Sequence, residues 1–245
     1  MLLHNIFRPK KDYHLVRLGR DNDGGYLVGS RAINESEILI SFGINDDWSF
    51  EKDFLKKNNI KILCYDKTYV LDILKKKLLF NLKSFFKKFR FFKIFKNILN
   101  IFEFINLKKK IIFLKKEINA GDLTKIINEI NSNKIFIKID IEGGEYEILE
   151  EILINQTKFT CLIIEFHKFD INEEIIINFK KNLNLELTHI HPNNYSVLNE
   201  KNDPTVVEMT FEKNPEIIGE NKVLPNKLDM KNWKRGPQID LKFHE

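Results

Sequence analysis

Residues 134–149 read KIFIKIDIEGGEYEIL, and their reading decides the fold. The first part, KIFIKID (134–140), is a short apolar run closed by an acid. Such a run fits a strand buried on both faces. The second part, continuing as EGGEYEILEEIL (142–153), has the apolar spacing of a helix. A buried strand followed directly by a helix is half of a βαβ unit, and its repetition makes a parallel sheet covered on both sides.

The same rhythm runs outward in both directions. Upstream stand the strand EILISFGI (37–44), the helix SFEKDFLKK (49–57) with a Ser at its start, and the strand KILCYDKT (61–68). KKIIFLKKEI (109–118) and GDLTKIINEI (121–130) add a strand and a helix. Downstream, CLIIEFHKF (161–169) reads as a buried strand and NEEIIINFKKNL (172–183) as its helix. LELTHIHPNNY (185–195) and TVVEMTFEKN (205–214) read as a final antiparallel pair joined by a long loop. At the other end, YHLVRLGRDNDGGYLV (13–28) is two apolar runs around a Gly-containing turn, the mark of a hairpin. One domain over 1–245 is expected, with an N-terminal hairpin segment (1–36), a helical insertion (70–107) and a C-terminal strap (215–245).

Composition narrows the function classes. With 245 residues, 43% hydrophobic and 31% charged, the chain can bury a large core, and disorder of the whole chain is excluded. A net charge of +5 favours an anionic ligand or surface but does not identify a nucleic-acid binder. No window reaches the length of a spanning helix and no signal segment is visible, so a cytoplasmic protein is expected. Cys64 and Cys161 each lie inside an apolar strand run, which suits buried reduced thiols. The insertion is rich in Lys and Arg, with Asp72 and Glu103 almost its sole acids, and reads as one or two amphipathic helices. It fits a lid or a homo-oligomer contact first, then a basic rim for phosphates, then contact with an anionic membrane. Its Phe85, Phe86, Phe89, Phe91 and Phe92 are too many for one helix face.

In an open parallel sheet, ligands bind at the C-terminal ends of the strands. The turn SFGINDD (41–47) brings Gly43, where backbone can pass close, with Asn45, Asp46 and Asp47 as acceptors. Asp66 ends the next strand, where a carboxylate can accept ribose hydroxyls. The G-x-G-x-x-G signature is missing, so a nucleoside fits better than a dinucleotide, and an NAD oxidoreductase becomes improbable. Asp140 and Glu142 form a close carboxylate pair able to act as base or to bind a divalent ion, while Glu142 and Glu145 could instead cap the following helix. Glu165 and His167 end the next strand, with His167 a candidate proton acceptor. In HIHPNNY, His189 and His191 share one face, and His191, Asn193, Asn194 and Tyr195 carry the donors and acceptors that read hydroxyls. Two such His could hold zinc, but no third ligand is evident and no metal is expected. In DNDGGY (21–26), Gly24 or Gly25 takes positive φ, and Gly25 is counted among the cofactor-binding positions.

Together, RLGRDNDGGYLV, SFGINDDWSFEKDF, Asp66, KIDIEGGEYEIL and HIHPNNY with VVEMTF resemble the FkbM-type methyltransferases over most of the chain. The D-I-E-G element after a strand is the most specific part. The resemblance implies the Rossmann-like class I methyltransferase fold, a seven-stranded, mostly parallel sheet with one antiparallel strand. It implies S-adenosylmethionine as cofactor and transfer to an oxygen of a sugar, free, nucleotide-linked or in a polysaccharide. It also implies that Phe42, Gly43, Ile44 and Asp47 line the methionine and ribose, that Asp66 holds the ribose and that Asp140 faces the methyl. Asp140 or His167 is the expected base, with Glu142 in support and His191 in reserve. The first turn departs from the commoner D-x-G-A-N-x-G form. The rival reading is a protein that binds nucleic acid or a membrane surface through the Lys/Phe helices; the acidic strand tips oppose nucleic acid.

Overall fold

The computed structural model describes residues 1–83, 90–220 and 223–244. Seven strands form its main sheet: β1 (Ile38–Phe42), β2 (Lys61–Asp66), β3 (Ile112–Lys115), β4 (Ile135–Ile139), β5 (Phe159–His167), β6 (Glu186–Pro192) and β7 (Val206–Glu212). Across the sheet they lie in the order 3-2-1-4-5-7-6. Neighbours from β3 to β5 pair in parallel, and β7 is inserted antiparallel between β5 and β6. This is the Rossmann-like, seven-stranded, mostly parallel sheet with one antiparallel strand that the resemblance implied. The final pair of strands is antiparallel, as read from the sequence, but β7 also closes against β5, with Glu208 opposite Glu165.

Period-two alternation divides the core between the two faces of the sheet. In β4, Ile135, Ile137 and Ile139 enter one apolar cluster, while Phe136 enters the other beside Phe50 and Phe54 of α2 (Ser49–Lys57), the helix after the short α1 (Ser30–Glu35). The Phe54 and Phe136 rings meet edge to face at 5.0 Å, and both residues are fully buried. Each such ring contributes roughly 2–3 kcal/mol by leaving water. Cys64 and Cys161 are buried free thiols within β2 and β5.

The segment expected as one helix after β4 begins instead as a 3-10 turn, Gly144–Ile148, before the α-helix Leu149–Asn155. Glu145 is the reason. Its buried carboxylate turns inward to accept the N–H of Gly143 at 2.8 Å and that of His167 at 2.7 Å, fastening the loop to the end of β5. The insertion is two helices, α3 (Val70–Lys83) and α4 (Arg90–Lys108), which pack on each other. They are pinned to the body by Val70, Leu74 and Phe104, the last against Trp48. Phe85, Phe86 and Phe89 lie outside the described residues, as does the Phe91 side chain, and Phe92 is exposed.

The N-terminal hairpin pairs Leu15–Leu18 with Tyr26–Gly29. The C-terminal strap is held at both ends: Ile217–Gly219 pairs with Asp12–Tyr13, and Lys242–Phe243 pairs with Leu2–Leu3. Midway, buried His189 and His191 face Asp229, with His189 Nε2 2.8 Å from Asp229 Oδ1.

Candidate active site

The chain order reverses between β1 and β4, and there the strand tips part around a cavity of about 1010 Å³. This crevice is where open α/β sheets take ligands. Gly43, Asp66 and Asp140, the tips of three neighbouring strands, all line it. Of the other expected residues, Ile44, Asp47, Glu142, His167, Asn193 and Tyr195 line it too.

Gly43 leaves β1 at φ +77°, and a Cβ there would stand 1.6 Å from the carbonyl oxygen of Asp140. The two tips therefore touch backbone to backbone, and Asp140 N–H donates to the Phe42 carbonyl at 3.0 Å. Lys138 completes the junction by donating to the Gly43 carbonyl at 2.8 Å.

Asp66 grips the turn after β1. Its Oδ2 accepts the N–H groups of Ile44 at 2.9 Å and Asn45 at 2.7 Å. Its Oδ1 accepts the N–H of Thr68 at 2.7 Å and the Thr68 hydroxyl at 2.6 Å. A carboxylate offers about four lone-pair positions, and all are taken. A ligand hydroxyl must displace one of these donors, and the Thr68 hydroxyl, free to rotate, is the easiest to move.

The acidic wall is built by β4 and β5 with the hairpin above them. The Tyr26 hydroxyl donates to Glu165 Oε2 at 3.0 Å and lies 3.3 Å from Asp140 Oδ2. Asn193 donates to the other Glu165 oxygen at 3.0 Å. Burial, reinforced by the neighbouring Asp140 carboxylate, pushes Glu165 up to about 8. Burial opposes the charge on His167, but its hydrogen bond to Glu145 and the surrounding carboxylates outweigh that and raise it to about 9. Glu142, at φ 55° with an exposed side chain, reaches His167 Nε2 at 3.4 Å. Lys138, buried with its ammonium 3.8 Å from Asp140, is likewise opposed by burial, yet Asp140, Glu51, Glu165 and Asp47 keep it above the ordinary lysine value. Asp140, Glu165 and His167 each offer one ligand atom, all within 4.8 Å of one another, a spacing that could hold a metal ion.

Four expected residues do not line the cavity. Phe42 points into the core beneath it. Gly25 packs under the hairpin turn, where a Cβ would meet the Arg20 carbonyl at 2.0 Å; Gly24, at φ +83° against Asp47, faces the cavity in its place. His191 bonds Asn232 at 3.0 Å, and Asn194 bonds the backbone of Trp233 and Pro237, so both secure the strap.

Sequence reading missed Lys138, Tyr26 and the 116–119 loop. Lys138 carried a signal: a lysine in an apolar strand, on the same face as Phe136, must find a buried anionic partner. Tyr26 carried none, because its reach to Asp140 and Glu165 depends on how the hairpin folds over the sheet.

The polar crevice at the switch point of this sheet is the candidate ligand site. Residues 112–218 match the family described as the methyltransferase FkbM domain, the family the motifs resemble. The match runs from β3 past β7 and includes Asp140, Glu142, Glu165, His167 and Asn193; Gly43 and Asp66 precede it. No curated protein matches the chain. Among solved structures, M. capricolum TrmK in complex with S-adenosyl-homocysteine is 13% identical over 82% of this chain and 72% of its own, with a TM-score of 0.40. A putative RNA methyltransferase from Pyrococcus horikoshii is 12% identical over 74% of each chain at 0.40. Precorrin-6y C5,15-methyltransferase from Geobacter metallireducens is 8% identical over 75% and 84% at 0.40. At these scores the likeness is distant.

Proposed function

We propose that the chain is an S-adenosylmethionine-dependent O-methyltransferase acting on a hydroxyl of a sugar, nucleotide-linked or part of a polysaccharide. One observation carries this: Gly43, Asp66 and Asp140 stand at neighbouring strand tips around one cavity. The cavity walls fit the cofactor. Ile44, Tyr65, Ile118 and Ile141 give apolar faces for a purine, Asp66 and Asn119 give polar partners, and a Cβ on Gly143 would meet nothing within 4 Å.

S-adenosylmethionine supplies a sulfonium methyl already activated for attack. The protein's task is to align the acceptor oxygen, exclude water and take the proton. Asp140 is the base this geometry favours. At neutral pH, His167, held near 9, is an imidazolium, and Glu165, held near 8, keeps its proton. The Tyr26 hydroxyl, which donates to Glu165 Oε2, also lies 3.3 Å from Asp140 Oδ2, leaving the second Asp140 oxygen for the acceptor hydroxyl. Asp140 would take the proton of the acceptor hydroxyl as that oxygen accepts the methyl from the bound donor. Exposed Tyr195 supplies a hydroxyl for further contacts, while Asn193 commits its amide hydrogens to Glu165 and Asp23 and imidazolium His167 stands between Glu145 and Glu142. A divalent ion on Asp140, Glu165 and His167 is the second device these atoms allow, and it must compete with the Lys138 ammonium.

The test is a screen of nucleotide sugars and glycans with isotopically labelled donor, read by mass spectrometry for a gain of one methyl, with and without chelator. Methylation confined to nitrogen or carbon acceptors overturns the reading. Loss of turnover on chelation, restored by a divalent ion, replaces the proton relay with the metal.

A further inference from the structure

The α3–α4 hairpin has two properties that the site does not use. Residues 70–110 contain 12 Lys and Arg against 2 acids, Asp72 and Glu103, whereas the whole chain carries +5. The remainder is therefore net acidic, and the positive charge is concentrated in this one segment of the sequence. The second property is a split in α4. One face is buried through Ile94, Phe104 and Leu107. Another presents Phe95, Ile98, Leu99 and Phe102 at helical spacing, 37–61% exposed, with exposed Lys93 and Lys96 on the same helix. Leu79 and Leu82 of α3 are also exposed.

We propose that this hairpin docks the protein on the surface of an anionic lipid bilayer. An interfacial helix sinks its apolar face into the boundary between headgroups and acyl chains while its cations meet the lipid charge. No helix among the described residues is long and apolar enough to cross a membrane, so the contact is peripheral. Charge decides against a second copy as the occupant, because docking would bring together two segments that each carry 12 Lys and Arg against 2 acids. Chemistry decides against nucleic acid, because the stripe includes Ile and Leu side chains that neither stack on bases nor bond to them. The base of the hairpin is tied to the site: Lys77 of α3 pairs with Asp46, which lines the cavity, and Lys52 pairs with Glu103 of α4 at 2.5 Å. Docking therefore sets the cavity rim beside the bilayer.

Co-sedimentation of the full chain with phosphatidylcholine vesicles, with and without about one-third phosphatidylglycerol, tests this. At least about tenfold tighter association with the anionic vesicles is expected, falling steeply as salt rises. The double substitutions Phe95→Ser with Phe102→Ser, and Lys93→Glu with Lys96→Glu, should each weaken it about tenfold while leaving the circular-dichroism spectrum unchanged. Equal association with neutral and anionic vesicles overturns the proposal. So does wild-type binding by both double variants, a dimer in solution that Phe95→Ser with Phe102→Ser dissociates, or retention on DNA without retention on anionic vesicles.

Discussion

Tyr26 and Glu165 share a buried hydrogen bond of 3.0 Å, and through its hydroxyl Tyr26 links Glu165 to Asp140, 3.3 Å away. Tyr26→Phe removes the link without opening the core. A fall in kcat of about 10- to 100-fold is expected, with KM for the methyl donor within about threefold. Because the Tyr26 hydrogen bond lowers the Glu165 pKa, its loss should also move the Glu165 limb of the pH–rate profile above about 8. An unchanged profile with reduced KM discrimination would assign Tyr26 to binding alone.

His167 and Glu165 give stability a pH dependence whose sign is fixed. His167, raised from 6.5 to about 9, holds its proton more tightly folded than unfolded. Its contribution is full below pH 6.5 and is lost as pH rises through about 9. Glu165, raised from 4.5 to about 8, also binds its proton more tightly when folded, so stability falls as pH rises across that window. His167→Gln should lower Tm by about 5 °C near pH 6 and little near pH 9.5, whereas Glu165→Gln should raise Tm by a few degrees near pH 8.5 and not near pH 4.5. Thermal unfolding across this range measures both.

Two glycines at the site should differ in tolerance. Gly43→Ala combines φ +77° with a Cβ 1.6 Å from backbone, so a loss of about 3 kcal/mol or more is expected. Gly143→Ala also sits at positive φ, +106°, but its Cβ would enter open space, and about 1 kcal/mol is expected. Denaturant unfolding of the two variants should rank them in that order.

The framework was legible because strand and helix periods alternate cleanly: KIFIKID and CLIIEFHKF admit little but buried strands, and the residue closing each strand faces the crevice by topology. That placed Gly43, Asp66, Asp140 and His167 together. What the sequence hid depends on tertiary contacts. His191 and Asn194 carry groups suited to a ligand, but the strap supplies Asp229, Asn232 and Trp233 to the same face and takes those groups for itself. Gly24 and Gly25 are equivalent in sequence and become distinct only when the hairpin closes over Asp47. Proton affinities at His167 and Glu165 were equally hidden, because they depend on how many carboxylates the fold buries together.

Thr68 and Asp66 separate the turn lock from the cofactor grip. Thr68→Val deletes the hydroxyl that occupies Asp66 Oδ1 and keeps the side chain's shape. Cofactor affinity in this variant should stay equal or tighten by up to about threefold, since a lone pair is freed for the incoming hydroxyl. A tenfold loss would mean that the Thr68 hydroxyl itself binds the ligand.

Calorimetric titration of the full chain with S-adenosylmethionine, with NAD as the control ligand and Asp66→Ala as the control protein, bears most directly on the crevice between Gly43, Asp66 and Asp140. The account predicts saturable one-site binding of S-adenosylmethionine, weakened by at least about tenfold in Asp66→Ala, and no binding of NAD. Absence of heat with S-adenosylmethionine, or equal affinity in wild type and Asp66→Ala, would contradict it.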